Sequence, residues 1–440
     1  MSNRILGAAC AALFIAGCSG SNSSLPTAGS ALMQGPGSSQ MRLGHKGGYS
    51  APAPMPSPHL LTSIDTTDLL NITPAQAQPY LTIGHTNSGP AQADLFSSAG
   101  IEAVPYGDID HFLPGDQSGT NSTLSMADVA LTCDGQPVEW VKPSHPIIYL
   151  TDPRNPGTLA AWEQWYTNFV AAGGQTWAIY EDTANNPYTF AVPSPPCAAD
   201  GSGPVTTQEW TAAEEAQEGA MQTFSGKPVV FNGLAPGYHT WMPYANPLLD
   251  GPAAGGEAEA CAPSNTTEWL NQVTIEIHAV QKKKFFICHG NDLTDGSTPQ
   301  AIAFRNYHFA TMMLEYDPAY TVYESAFAVG ASNLRVEPES DVVMLNPYKQ
   351  TINLATDLLK PGGAYARRYK DCYLNGTDLG QCAAVVNPTK VPVPFPFAWV
   401  HYQHTMLLTG SGIYDGATVS NLGPAPVATV GPYSGEVAFL

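Results

Sequence analysis

The sequence predicts an α/β fold, a (β/α)8 (TIM) barrel followed by a small C-terminal all-β domain. Two observations lead to this fold class. Strand-like apolar runs alternate with helical patterns over roughly 300 residues, and after about Lys360 the pattern changes to short strands and turns. A doubly wound open sheet is the alternative, but the first predicted βα turn, YLTIGHTNSGP, lacks the glycine-rich phosphate turn usual in that fold.

The first 57 residues predict export. Residues 1–18 contain an Arg, a short apolar run and the sequence IAGC, which resembles a bacterial lipobox in which Cys18 is lipidated after cleavage. A plain signal peptide, with Cys18 incidental, is the alternative. Residues 19–57 are rich in Ser, Gly and Pro, a composition typical of a flexible tether. We therefore expect an exported lipoprotein, anchored in a membrane of the bacterial cell envelope by its lipid alone.

The predicted barrel occupies residues 58–360. Its strand candidates, in chain order, are YLTIGH, EAVPYGD, IIYLTD, TWAIYEDT, PVVFNGL, GEAEAC, KKFFICHG and TMMLEYD. Helical patterns between them include TLAAWEQWYTNFVAAG, TTQEWTAAEEAQEGAMQTF and NTTEWLNQVTIEIHAVQ, each with apolar residues at helical spacing. The last 80 residues, 361–440, are too rich in Pro and Gly for a helical ending and predict the β domain.

Composition narrows the classes of partner. The net charge of −20 argues against nucleic acid, whose phosphates require a basic surface. Only 12% of the residues are charged and 10% are aromatic, whereas a disordered chain would show high charge and few aromatics. A neutral or cationic ligand fits this field best. No pattern predicts a cofactor.

Six cysteines follow the signal region, and an even number in an exported chain indicates disulfides. Zinc is the alternative, but no two of them have C-x-x-C spacing. Cys372 and Cys382 flank a short turn, and Cys261 and Cys288 end neighbouring predicted strands. Cys133 and Cys197 remain for each other.

Acidic residues gather at the predicted strand ends, where the function of such barrels resides. They are Asp108, Asp110, Asp152, Glu181, Asp182, Glu257, Glu259, Asp292, Glu315 and Asp317. Aromatic residues, among them Tyr106 and Tyr180, accompany them. Aromatic faces stack on sugar rings, and a carboxylate pair supplies an acid and a nucleophile or base. The pattern therefore predicts a carbohydrate site.

Several of these residues have a structural alternative. Asp152 in YLTDPRNP fits a helix N-cap, and Asn232 in FNGL fits a turn. Asp182 follows an apolar strand with no helix directly after it, which favours a functional acid. His289 is expected to be a satisfied polar residue. No spacing of His and Asp requires a metal, so we expect none.

The segments HLLTS, AGIEAVPYGD, YLTDPRNP, WAIYEDT, PVVFNGL, EAEAC, LEYDPAYTVYE, VEPES and YARRYKDCYLNGTDLGQCAAVVNP, in this order, resemble the uncharacterised glycoside-hydrolase-like (β/α)8 barrel families. The resemblance extends from His59 to the end of the chain, and its most specific segment is the last. It implies an acid pair on the fourth and sixth strands, as in several retaining α-glycosidase barrels. Those positions hold Asp182 and Glu259; Glu257 has no counterpart.

We therefore expect a glycoside hydrolase acting on an extracellular or envelope polysaccharide. Asp182 would be nucleophile, or base for an attacking water, and Glu259 the general acid. Glu257, two residues deeper, would raise the proton affinity of Glu259 by like-charge repulsion. The remaining expected substrate-binding residues are Asp152, Tyr180, Asn232, Tyr106 and Asp317. The alternative is a catalytically silent carbohydrate-binding or structural lipoprotein, since fold does not imply function.

Overall fold

A computed structural model of the chain describes residues 62–63, 83–86, 89–140, 147–182, 194–234, 247–259, 261–292, 297–327, 337–351, 353–398, 401–410 and 418–440. The predicted signal region with Cys18 and the predicted tether lie outside the described residues. Within the described ranges, no helix is long and apolar enough to cross a membrane.

The chain up to residue 327 alternates strands with helices. The strands are β1 (Thr62–Ser63), β2 (Ile83–Thr86), β3 (Glu102–Pro105), β4 (His111–Phe112), β5 (Glu139–Trp140), β6 (Ile148–Leu150), β7 (Ile179–Glu181), β8 (Val229–Asn232), β9 (Gly255–Glu259), β10 (Phe285–Asp292) and β11 (Thr321–Phe327). The helices are α1 (Pro90–Ser98), α2 (Pro156–Ala171), α3 (Thr207–Ser225), α4 (Pro247–Asp250), α5 (Thr266–Gln281) and α6 (Pro299–Met312). This is the mixed α/β class that the sequence predicts.

The main sheet is parallel and has the strand order of a barrel. Six strands are hydrogen-bonded in the order β1-β11-β10-β9-β8-β7, and β2 pairs with β3. A parallel bridge between Tyr106 and Tyr180 connects the end of β3 to β7. The eight strands thus follow one another as β2-β3-β7-β8-β9-β10-β11-β1. Closure between β1 and β2 stays a prediction.

Two of the predicted barrel strands are wrong. Ile148–Leu150, within IIYLTD, pairs antiparallel with β4 and β5 in a small separate sheet. TMMLEYD begins as the last turn of α6 and continues into a turn, so the strand that completes the series is β11, a few residues later. The apolar run at the end of α6 is buried on all sides, and such a run has the same composition as a buried strand.

The sheet is covered on both faces, as parallel sheets require. On the outer face, α1 and α2 pack on β3, β7 and β8 through a cluster that includes Phe96, Trp162 and Phe169. On the inner face, apolar side chains from β2, β3, β7, β8, β10 and β11 form one cluster: Ile83, Val104, Ala178, Tyr180, Val230, Phe285, Ile287 and Val322. The polar residues of the next layer lie directly above this inner cluster.

Polar side chains cap the amino ends of three of these helices. Asn155 accepts a hydrogen bond from the backbone of Gly157 at the start of α2, and Thr206 accepts one from Glu209 at the start of α3. Asn265 caps α5 in the same way. Each cap satisfies backbone donors that would otherwise lack a partner.

The C-terminal part is antiparallel β structure. Its strands are β12 (Val342–Pro347), β13 (Tyr365–Leu374), β14 (Thr377–Asn387), β15 (Val393–Pro394), β16 (His404–Thr405), β17 (Leu407–Thr409), β18 (Thr418–Ser420), β19 (Thr429–Val430) and β20 (Ser434–Phe439). Five of them form a sheet in the order β12-β13-β14-β20-β16. Because β12 precedes residue 361, this sheet begins upstream of the predicted boundary, and the division into domains stays a prediction.

This sheet packs directly on α6. A Cβ at Gly435 would lie 2.7 Å from the backbone oxygen of Asn306 and 2.8 Å from Cα of Tyr307, so glycine permits β20 to approach the helix. A buried ion pair between Arg305 of α6 and Glu339 fixes the same region.

The three predicted cysteine pairs lie at disulfide distance. Their Cα atoms are 4.6 Å apart for Cys133–Cys197, 5.3 Å for Cys261–Cys288 and 6.1 Å for Cys372–Cys382. Disulfides persist in oxidising compartments, so these pairs indicate an exported protein.

Candidate active site

One layer of polar residues lies just above the inner apolar cluster, at the carboxyl ends of the parallel strands. Strand residues two apart share a face, so each inner apolar residue is followed two positions later by another that points inward. Six of the strands supply such residues in this way: His85 after Ile83, Tyr106 after Val104, Asp182 after Tyr180, Asn232 after Val230, His289 after Ile287 and Glu324 after Val322. Glu257 of β9 joins the same layer.

Asp182 is held by two side-chain donors. The Tyr106 hydroxyl donates to Oδ2 of Asp182, and the Asn232 amide nitrogen donates to Oδ1 over 2.8 Å. The donors come from the ends of β3 and β8, which flank β7 on either side. Asp182 remains partly exposed, so its carboxylate is both oriented and accessible.

Glu257 and Glu324 form the second half of the site with two imidazoles. Nδ1 of His289 lies 2.8 Å from Oε1 of Glu257 and 3.6 Å from Oε1 of Glu324. Nδ1 of His85 lies 3.9 Å from Oε2 of Glu257 and 3.7 Å from Oε2 of Glu324. The two carboxylates are therefore side by side, with one imidazole at each end of the pair.

The pKa of Glu257 lies below its ordinary value. Burial opposes the charged form of this carboxyl, but His289, His85 and a hydrogen bond from Tyr180 together outweigh that cost. Glu257 therefore carries its negative charge at neutral pH although it is only 2% exposed.

Tyr180 connects the two halves. Its ring lies 4.6 Å from that of His85 and 5.7 Å from that of Tyr106, centroid to centroid. Tyr106 binds Asp182 and Tyr180 binds Glu257, so the contact between these two rings links the two halves of the polar layer.

The predicted residues Tyr106, Tyr180, Asp182, Asn232 and Glu257 thus come together, whereas two others do not. Both carboxylate oxygens of Asp152 bind Arg154 in the turn before α2. Asp317 lies in the turn before β11, at the amino end of that strand and so at the opposite edge of the sheet. The backbone of Glu259 ends β9 beside His289, and its side chain lies outside the described part of the structure.

Sequence reasoning missed His85 and Glu324 and assigned His289 no role in the site. His85 belongs to a predicted strand, YLTIGH, and Glu324 to a strand that the sequence analysis placed too early in the chain. The available signal was the alternation itself, a polar residue two positions beyond a buried apolar residue at the end of a strand.

A second group of acids lies on the outer face of β7. Glu181 points away from Asp182 and accepts a hydrogen bond of 3.5 Å from Gln217 of α3. Burial, followed by the charge of Asp108, raises the pKa of Glu181 to about 8. The pKa of Asp110 is also raised, by burial and by Glu181 and further acids. Glu181 is therefore protonated at neutral pH, and it faces α3 rather than the inner face that carries Asp182.

No family model matches the chain, and no curated protein matches it significantly. Solved structures are similar to the chain at low identity and low TM-score. Ega3 from Aspergillus fumigatus, solved in complex with galactosamine, is 12% identical, with 65% of this chain and 98% of that chain covered and a TM-score of 0.39. The glycoside hydrolase domain of PelA from Pseudomonas aeruginosa is 11% identical over 62% of this chain and 96% of its own, with a TM-score of 0.40.

The alpha-glucosyl transfer enzyme XgtA is 8% identical, with 87% of this chain and 98% of that chain covered and a TM-score of 0.42. Identities and scores this low leave the assignment of function to the site itself.

Proposed function

We propose that the protein hydrolyses glycosidic bonds of an extracellular or envelope polysaccharide by a two-carboxylate mechanism, with Asp182 and Glu259 as the pair. The observation that carries the proposal is the setting of Asp182. It is a partly exposed carboxylate at the carboxyl end of a parallel strand, with both oxygens fixed by donors from the two neighbouring strands. A carboxylate that attacks a sugar, or that activates a water for attack, needs such a fixed orientation.

Glu259 is proposed as the general acid. It ends β9, two strands from β7 in the sheet, and strand alternation predicts that it shares the face of Glu257. Glu257 is ionised, and a charge so near would raise the proton affinity of a neighbouring carboxyl. A general acid that works near neutral pH requires such a raised proton affinity.

Tyr106, Tyr180 and Asn232 are proposed to position the sugar. Their hydroxyl and amide groups lie around Asp182 and Glu257, and hydroxyl groups of a sugar are both donors and acceptors. These positioning groups do not select between a charged and a neutral polymer. The negative net charge of the chain favours a neutral or cationic one.

The test is release of reducing ends from a panel of polysaccharides by the wild type, Asp182→Asn and Glu259→Gln. Loss of a general acid or of a nucleophile lowers turnover by about 10²-fold or more, so each variant should retain at most a small fraction of the wild-type rate. Asp94→Asn is the matched control, because Asp94 is a partly exposed carboxylate on α1, outside the site. Its rate should equal that of the wild type.

Two results contradict the proposal. If Asp182→Asn keeps its activity and its melting temperature is unchanged, Asp182 is not a catalytic residue. Saturable polysaccharide binding without release of reducing ends identifies a catalytically silent carbohydrate-binding protein. With an active substrate in hand, NMR of the first-formed anomer distinguishes retention from inversion.

A further inference from the structure

Three atoms in the polar layer face one another at distances too long for hydrogen bonds between them. They are Nδ1 of His85, Oε2 of Glu257 and Oε2 of Glu324. The nitrogen lies 3.9 Å from the first oxygen and 3.7 Å from the second, and one ligand atom from each residue fits within 4.8 Å of the other two. Hydrogen bonds between nitrogen and oxygen are about 2.7–3.2 Å long, so these contacts are too long to be hydrogen bonds.

The separations suit ligands of one metal ion. An ion with bonds of about 2.0–2.2 Å to nitrogen and oxygen in tetrahedral geometry holds its ligand atoms roughly 3.4 Å apart. Small rotations of the side chains would bring the three atoms to that spacing.

A buried carboxylate oxygen without a hydrogen-bond partner lies at the same place. Oε2 of Glu257 has no hydrogen-bond partner among the described residues. Glu257 is 2% exposed, so this oxygen obtains little compensation from water. Buried polar atoms are nearly always satisfied, and an exception calls for a missing partner such as a water or an ion.

Of the other two carboxylate oxygens, that of Glu257 is within hydrogen-bonding distance of an imidazole. Oε1 of Glu257 and Oε1 of Glu324 both face Nδ1 of His289, at 2.8 Å and 3.6 Å. Carboxylate ligands of metals are commonly held in this way by a hydrogen-bonding group on the oxygen that does not bind the metal. The ring of Tyr180, 4.6 Å from that of His85, restrains the plane of the imidazole.

We propose that His85, Glu257 and Glu324 bind a divalent first-row transition-metal ion, with zinc as the probe. One imidazole and two carboxylates form a mixed nitrogen and oxygen donor set, which suits zinc or manganese better than calcium or magnesium. The ion offsets the charges of two buried carboxylates and ties β2 to β9 and β11 across the inner face. The like-charge effect of Glu257 on Glu259 proposed above then applies to the metal-free protein. This inference does not depend on the proposed hydrolase activity.

The experiment uses untagged, oxidised full-length protein, treated with a chelator and then titrated with Zn²⁺ in a calorimeter. Metal content by mass spectrometry and the melting temperature are recorded in parallel. We expect about one equivalent of zinc and a melting temperature that rises with zinc concentration, because an ion that binds only the folded state stabilises it. Glu324→Gln and His85→Ala should each weaken binding at least tenfold.

The matched control is Glu315→Gln, a buried carboxylate in the turn that follows α6, which should bind zinc like the wild type. Cys261, Cys288 and His308 are a second group with ligand spacing, so a thiol assay must first show that the cysteines are oxidised. Absence of saturable binding by the wild type would overturn the proposal. So would wild-type affinity in both site variants. If a variant does not fold, the wild-type titration and its thermal shift decide alone.

Discussion

Oε1 of Glu257 lies 2.8 Å from Nδ1 of His289, and this contact pairs a carboxylate that is 2% exposed with an imidazole whose side chain is 16% exposed. The two residues lie on adjacent parallel strands, β9 and β10. Glu257 pairs with Ile287 in the register, and His289 lies two residues further along β10. The pair therefore stabilises a charge that the interior of the protein would otherwise disfavour.

Removing one partner of this pair should lower the free energy of unfolding by more than removing both partners does. In chelator-treated protein, His289→Ala leaves Glu257 without its strongest counter-charge and should lower the free energy of unfolding by about 3 kcal/mol. Glu257→Gln combined with His289→Ala should lose less than the sum of the single changes, because residue 257 then carries no charge that needs a partner. Urea denaturation of the four proteins measures the coupling, and additive losses would show that the contact is energetically neutral.

The acids behind β7 should make stability fall as pH rises. Because burial and Asp108 raise the pKa of Glu181 to about 8, the folded protein holds a proton on this carboxyl that the unfolded chain releases near its ordinary value of 4.5. The stabilising effect is present below pH 4.5 and is lost as pH rises through 8. Glu181→Gln should flatten this loss, and Glu163→Gln on α2, outside the cluster, should leave it unchanged. Melting temperatures between pH 5 and 9 provide the comparison.

The disulfide beside the site should stabilise the protein more than one that closes a shorter loop. Cys261 and Cys288 are separated by 27 residues, and the chain-entropy argument assigns such a cross-link about 3.5 kcal/mol. Cys261→Ala with Cys288→Ala should therefore destabilise more than Cys372→Ala with Cys382→Ala, whose separation is 10 residues. Urea denaturation under non-reducing conditions tests the order. The reverse order would mean that strain or packing, rather than loop length, dominates.

Lipid anchoring through Cys18 remains a proposal from the sequence. If Cys18 is acylated, the wild type should partition into a detergent phase and Cys18→Ser should be released in the aqueous phase. Cys10→Ser is the matched control, since Cys10 lies in the same apolar segment and should not affect partitioning. Equal partitioning of all three proteins would show that Cys18 is incidental.

Local patterns in the sequence determined much of this protein. The alternation of strands and helices, the caps at Thr206 and Asn265, and the Cys372–Cys382 pair across a short turn follow from short-range rules of backbone satisfaction and spacing. The same rules predicted inward-facing strand ends and so brought Tyr106, Tyr180, Asp182, Asn232 and Glu257 to one site.

Only the tertiary structure decided which strands belong to the main sheet and which residues meet on its inner face. Ile148–Leu150 pairs antiparallel in a small sheet, because pairing depends on partners distant in the chain and an apolar run carries no mark of its partner. His85 and Glu324 meet across 239 positions for the same reason, and no spacing rule connects them. Composition and periodicity act over a few residues, whereas the arrangement of the strands brings together side chains that are distant in the chain.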